Sequence, residues 1–245
     1  MYDRPKILPT GDRAIVVEFG DEISEECNAR VLNLYNLLKN AKVDGIISMI
    51  PTYRSLLIKY DPLEIDFKKV SDFVETASNA KRGEYALKPK IIEIPVAYGG
   101  EFGPDLDFVA EYRKITPEEV IQIHVEPLYR IYMLGFTMGF AYLGGMSEKI
   151  ATPRLETPRK KIEAGSVGIA GSQTGIYPLD SPGGWRLIGK TPVRLYDPKR
   201  ENPILLQAGN YIRFVRIEPD EFFSINEEVE KGTYQIKTYE YAGRQ

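Results

Sequence analysis

The chain holds one cysteine, one histidine and one tryptophan among 245 residues. The lone Cys27 excludes an internal disulfide and any multi-cysteine metal site, and such usage suits a reducing cytoplasm. The lone His124 leaves no ligand set for zinc and only one imidazole for a Ser-His-Asp triad. No apolar run approaches the ~20 residues of a membrane span. The N-terminal MYDRPKILPTGDR lacks the apolar core of a secretion signal. A surplus of positive charge is also missing: the formal net charge is −3, against the dense Lys/Arg excess that non-specific nucleic-acid binding needs. These absences predict a soluble cytoplasmic protein with no nucleic-acid or membrane partner and no metal of its own.

What is present reads as α+β in two domains, 1–88 and 89–245. Ala14 to Phe19 alternates Ile15, Val17 and Phe19 on one face, as a strand does. Ser24 then caps a helix whose first turn holds Glu25 and Glu26. Its apolar stripe is Cys27, Val31, Leu34, Tyr35 and Leu38, so Cys27 reads as a buried spacer. Gly45–Ile50 and Arg54–Tyr60 form a hairpin around Pro51-Thr52-Tyr53. A second helix after Asp66 shows Phe67, Val70, Phe73, Val74 and Ala77 on one side. With Lys90–Ala97 the order becomes β-α-β-β-α-β, that of a ferredoxin-like split βαβ unit, unless that last strand belongs to the next domain. The polar stretch around Lys81–Pro89 marks the boundary.

The second domain opens with a loop, a short helix over Asp105–Lys114, and a helix announced by Thr116-Pro117-Glu118-Glu119, a capping box with proline at the first helical position. Short strands then follow at Leu128–Leu134, Ser166–Ala170, Trp185–Ile188, Val193–Tyr196, Ile204–Gln207 and Tyr211–Ile217. Many short strands with Gly/Pro turns predict a closed or nearly closed β-barrel. The charged tail from Pro219 is expected to wrap the outside.

Gly135 to Pro192 concentrates glycine and proline between aromatics and arginines, which suits rigid binding loops rather than a slack linker. Gly184–Thr191 matches the P-loop pattern, yet its middle residues are large and a strand pattern follows, so it reads as two strands joined at Gly189-Lys190. Gly171, Ser172, Gln173, Thr174 and Gly175 could form an anion-binding nest or a plain β-turn. Arg154 and Arg159 each follow a proline, which holds a guanidinium on stiff backbone for a carboxylate or phosphate. With Lys160 and Lys161 they could equally be a solvated charge run. Trp185, beside Pro182, Gly183 and Gly184, is placed to pack a flat ligand, a partner, or one barrel end. Phe136, Phe140 and Tyr142 suit a pocket wall or a contact with a partner chain. His124 is the one imidazole available for proton transfer, and a structural hydrogen-bonding role competes with it.

Tyr129-Arg130-Ile131-Tyr132-Met133-Leu134-Gly135-Phe136 followed by Gly139-Phe140-Ala141-Tyr142-Leu143-Gly144-Gly145 resembles the signature of the 5-oxoprolinase B-subunit family, also called the KipI or allophanate hydrolase subunit 1 family. The likeness continues through Thr152-Pro153-Arg154, Thr157-Pro158-Arg159, Ala164-Gly165-Ser166-Val167, Gln173-Thr174-Gly175-Ile176-Tyr177-Pro178 and Ser181-Pro182-Gly183-Gly184-Trp185. Met138 and Ser172 depart from the family's usual Pro and Gly. The resemblance implies an N-terminal α+β domain and a C-terminal cyclophilin-like β-barrel, a likeness of fold without isomerase activity. It implies two partners within a 5-oxoprolinase: the C subunit, related to allophanate hydrolase subunit 2, together with the A subunit. The assembly cleaves 5-oxoproline to glutamate using ATP with Mg, neither bound by this chain alone. On this reading Arg154, Arg159, Gly171–Gly175 and Tyr177 touch the small amide substrate. The family also offers two alternatives: an inhibitor of a histidine kinase, and a urea- or allophanate-type carboxyl-transfer subunit.

Overall fold

The computed structural model describes residues 1–79 and 88–243. The chain divides into two compact units, Met1–Lys88 and Pro89–Gln245. The polar stretch around Lys81–Pro89 lies mostly outside the described residues.

The first unit runs β1 (Lys6–Pro9), β2 (Ala14–Glu18), α1 (Glu25–Ala41), β3 (Ile46–Pro51), β4 (Ser55–Tyr60) and α2 (Phe67–Asn79). Ser24 Oγ accepts the Cys27 N–H at 3.1 Å, and Asp66 Oδ1 accepts the Lys69 N–H at 2.8 Å, so each helix begins on a side-chain cap. The sheet order is β1-β2-β4-β3, antiparallel throughout. Ile15, Val17, Leu56 and Ile58 alternate onto one face and bury against Val31, Leu34, Val70 and Val74. Each such side chain contributes roughly 1.5–3 kcal/mol. Cys27 lies in this core, where burial raises its thiol pKa, which leaves it a packing residue.

The strand over Lys90–Ala97, left open between the two domains, belongs to the second unit, in keeping with the 88/89 boundary, and the fourth strand of the first sheet is instead β1, upstream of β2. Phe67 and Phe73 are exposed, because at 100° per residue they flank the Val70–Val74–Ala77 stripe by about 60° on either side.

The second unit comprises β5 (Lys90–Tyr98), α3 (Leu106–Arg113), α4 (Pro117–Val125), β6 (Tyr129–Leu134), β7 (Ala141–Gly144), β8 (Arg159–Ile162), β9 (Ser166–Ala170), β10 (Gln173–Ile176), β11 (Ser181–Gly183), β12 (Arg186–Lys190), β13 (Tyr211–Arg216), α5 (Pro219–Lys231) and β14 (Thr238–Glu240). The capping box at Thr116 forms: its hydroxyl accepts the Glu119 N–H while Glu119 accepts the Thr116 N–H at 2.7 Å. The main sheet is ordered β10-β9-β12-β5-β13-β6-β7, with β14 added on β5, and β10 returns beside β7. This is a nearly closed, barrel-like sheet; β8 and β11 form a separate ribbon. Ile92, Ile94 and Val96 of β5 sit in one core with Val109, Val120, Tyr129, Ile131, Ile169 and Phe214.

Two sequence expectations fail in this unit. Gly189-Lys190 is no turn: β12 continues through both residues, opposite Tyr98 and Ala97 of β5. A Cβ at Gly189 would lie 2.7 Å from Val96 Cγ1, so glycine there lets two strands approach. Val193–Tyr196 and Ile204–Gln207 shrink to a single bridge, Tyr196↔Ile204, since Pro198 and Pro203 between them donate no N–H to a ladder. The charged tail from Pro219 stays largely exposed, as expected, and begins as the helix α5, with proline at its first turn, Phe222 buried and Gly232 closing it at φ +71°.

Candidate functional site

Thr152 to Leu155 is fastened to its neighbours at three of its four residues. Thr152 exchanges backbone bonds with Gly171 at 3.1 and 2.8 Å; Arg186 Nε approaches the Pro153 carbonyl at 3.4 Å; the Leu155 N–H reaches Gly184 O at 2.7 Å. The Arg186 guanidinium in turn lies 3.6 Å from the centre of the Phe108 ring on α3. The fourth residue, Arg154, is exposed and has no hydrogen bond or ion pair among the described residues.

Arg159 differs. Its Nη2 lies 2.9 Å from Asp105 Oδ1 and its Nη1 3.3 Å from the Trp185 carbonyl. Asp105 also accepts the Leu187 N–H at 2.7 Å, so this carboxylate joins β8, β12 and the start of α3. Arg159 is therefore held in an ion pair of the protein's own, with its side chain still 30% exposed. Lys161 pairs with Asp180 at 2.8 Å, while Lys160 is exposed.

Tyr177 lies beneath these arginines, buried. Burial raises its phenol pKa, while a bond with the Trp185 backbone and the charges of Arg154 and Arg159 lower it. A Cβ at Gly183 would come within 2.4 Å of Tyr177 Oη, which explains glycine at that position. The half-buried Trp185 meets Tyr177 edge-on at 6.1 Å and Phe140 at 5.8 Å. A Cβ on Gly175 would sit 3.1 Å from its ring. Phe140 is buried at the centre of the set and also meets Tyr142 and Phe136, so it packs rather than contacts a partner. Pro182 and Phe136 remain exposed.

The Gly171–Gly175 nest does not exist as an open site. Gly171 (φ +59°) and Ser172 are the two-residue connection of the β9–β10 hairpin, with Gln173 opposite Ala170. Gly171's backbone groups are taken by Thr152. Ser172 is not at positive φ, so its hydroxymethyl group causes no strain there. Thr174 and Gly175 are buried, and only Ser172 and Gln173 present side chains outward.

His124 is fully buried. Its Nδ1 lies 2.8 Å from Tyr98 Oη and its Nε2 2.8 Å from Thr174 Oγ1, which donates onward to Gly168 O at 3.1 Å. One assignment satisfies every group: Tyr98 donates to Nδ1, and Nε2–H donates to Thr174. Phe214 stacks on the ring at 4.5 Å, and burial lowers the imidazole pKa to about 3. A neutral, saturated imidazole away from solvent cannot shuttle protons to a surface ligand, so the catalytic expectation for His124 is corrected.

The arrangement thus offers a guanidinium without an ion-pair partner, on fixed backbone, beside a buried phenol and a half-buried indole. That set can bind and orient an anion with an apolar body. It contains no exposed general base. Among the described residues no cluster of three His, Cys, Asp or Glu could hold a metal, and no helix is long and apolar enough to cross a membrane. The P-loop-like Gly184–Thr191 cannot wrap a phosphate, because β12 is paired with β9 and β5. Sequence reading misses Asp105 as the partner of Arg159 and Phe108 as the rest for Arg186. The first pair spans 54 residues, and no local pattern announces it.

These two units together define a carboxyltransferase-type chain: the family model "Carboxyltransferase domain, subdomain C and D" matches residues 5–206, across the first unit and much of the second, and the chain belongs to that family. Within it the similar proteins are the B subunits of 5-oxoprolinases. That of Bacillus subtilis is 45% identical over 93% of this chain and 99% of its own length. That of Haemophilus influenzae is 57% identical over 85% of this chain and 96% of its own. The crystal structure of TTHA0988 superposes with a TM-score of 0.76 at 38% identity over 84% of this chain, which spans only 40% of that protein.

Proposed function

We propose that this chain is the B subunit of an ATP-dependent 5-oxoprolinase, a cytoplasmic hydrolase in which the A and C subunits are its partners. The reading rests on the relatives that carry the 5-oxoprolinase name and on one observation, Arg154. 5-Oxoproline carries a carboxylate on a small, flat lactam ring. Arg154 supplies a cation that no carboxylate among the described residues pairs with, and the half-buried Trp185, supported edge-on by the buried Tyr177, supplies apolar surface in the same region.

On this reading the face is half of a composite site, and the C subunit provides the other half with the groups that move protons. On the same reading ATP with Mg binds in the assembled complex rather than firmly to this chain. The two units correspond to ferredoxin-like and cyclophilin-like parts, the first with its fourth strand taken from the N-terminus.

Reconstitution tests the reading. The chain is mixed with the A and C subunits of its own organism, and 5-oxoproline-dependent ATP hydrolysis and glutamate release are followed. Turnover is expected only when all three are present; a folded chain that supports none would overturn the assignment.

A further inference from the structure

Arg154 sits between two peptide planes, and each plane is held by one hydrogen bond. The plane before it carries the Pro153 carbonyl, which accepts from Arg186 Nε–H at 3.4 Å. The plane after it carries the Leu155 N–H, which donates to Gly184 O at 2.7 Å. A peptide unit is rigid, so these two bonds set the backbone angles of Arg154 and the direction in which its side chain leaves the chain. Pro153 has no N–H and a fixed φ, which leaves its ψ as the one soft angle just ahead of Arg154. No strand ladder fixes that angle, because Thr152 makes only an isolated bridge and β8 starts at Arg159. Among the described residues, the bond from Arg186 is the one that the Pro153 carbonyl accepts.

Arg186 is itself held in place. It rises from β12, and its guanidinium lies 3.6 Å from the centre of the Phe108 ring, which stacks on Tyr112 at 6.1 Å and 14°. A planar guanidinium resting on a ring face keeps its Nε–H aimed one way, which a lysine ammonium on a flexible stem cannot do. No carboxylate among the described residues pairs with Arg186, so the aromatic face is the group that fixes it. We propose that Arg186, braced by Phe108, is a positioning residue that presents Arg154 to the carboxylate of the substrate. The inference rests on the 5-oxoprolinase reading, in which that substrate is 5-oxoproline. Arg186 grips backbone, and its role runs through Arg154.

Two measurements on the full chain test the brace. The first is amide hydrogen exchange in the isolated protein. Arg186→Met and Arg186→Lys should speed exchange at Leu155 at least about tenfold and Phe108→Leu about threefold, with the Ile58 amide of the first unit unmoved. Phe108→Tyr keeps the ring face and the slow exchange. Phe108 lies outside β12, so an Arg186 variant that fails to fold does not end the test. The second measurement is the KM for 5-oxoproline in the reconstituted assembly. Arg186→Lys, which keeps the charge, should raise KM about 3- to 10-fold with kcat within about twofold, and should add nothing in an Arg154→Ala background. An unmodified KM in Arg186→Lys overturns the proposal, since charge alone would then suffice. A KM rise that persists in the Arg154→Ala background overturns it too, since Arg186 would then touch the substrate itself. Unaltered Leu155 exchange in every variant, with Arg154→Ala still raising KM, overturns the brace and leaves the 5-oxoprolinase reading intact. Normal KM in Arg154→Ala, or no turnover by the unmodified assembly, removes that reading and the positioning role with it.

Discussion

His124 Nε2 and Thr174 Oγ1 lie 2.8 Å apart in the core of the second unit, and the bond ties the end of α4 to the middle of β10. Replacing Thr174 by valine keeps the shape and removes the partner of a buried N–H. The loss is expected at about 1–3 kcal/mol, with Thr174→Ser restoring most of it. Urea denaturation of both variants gives the comparison, and a neutral Thr174→Val would show that the hydroxyl does not hold this pair.

The same imidazole makes stability depend on pH. Its pKa is lowered from 6.5 to about 3, so the unfolded chain binds this proton more readily than the folded one. The contribution is complete above pH 6.5 and is lost as pH falls from there toward about 3, with a slope approaching roughly 1.4 kcal/mol per pH unit. A His124→Gln variant should show a shallower fall across that window. Parallel curves for the two proteins would refute the assignment.

Asp105 and Arg159 stabilise the junction of α3, β8 and β12. Asp105→Asn keeps an acceptor for the Leu187 N–H and loses the ion pair at 2.9 Å, at an expected cost of about 1–3 kcal/mol. The double variant with Arg159→Met should cost less than the sum of the single ones. Additive losses in a thermal-melt cycle would mean that the two groups are not coupled.

Arg154 gives the opposite pattern. With no hydrogen bond or ion pair among the described residues, Arg154→Ala should leave the melting temperature within about a degree, because surface changes of this kind stay within about ±0.5 kcal/mol. If the chain is the proposed B subunit, Arg154→Ala should raise KM for 5-oxoproline in the reconstituted assembly at least about tenfold, the value of one charge-assisted contact. Normal KM in that variant would remove Arg154 from the site.

Two glycines separate crowding from torsion. A Cβ at Gly103 would lie 2.0 Å from the Ile188 carbonyl oxygen, which is backbone and cannot swing away. Gly103→Ala should cost more than about 3 kcal/mol or prevent folding of the unit. Gly171 has open space around its missing Cβ but sits at φ +59°, so Gly171→Ala should cost only about 1 kcal/mol. Equal melting temperatures would contradict this division.

Much of the scaffold is legible from local rules. The Ser24 and Thr116 caps, the stripe from Cys27 to Leu38 and the alternation of Ile92, Ile94 and Val96 each depend on residues within a few positions of one another. The short strands β7, β8, β10 and β11 are not legible, because three or four residues carry too little periodicity to declare a strand. The P-loop match fails on its large middle residues alone. Its strand runs on through Gly189, however, and only the neighbouring β5 shows why that residue must lack a side chain.

The order of residues alone concentrates glycine between Gly135 and Pro192, with prolines and arginines set among them, whatever the fold. Which of those groups are available is a matter of packing. Alternation says that Gln173 and Thr174 point opposite ways, but only the packing of α4 on β10 turns Thr174 inward to His124. Arg154 and Arg159 look alike in T-P-R-L-E-T-P-R, and a carboxylate 54 residues away neutralises one of them. Charge pairing acts through space over a few ångströms, and sequence distance does not record it.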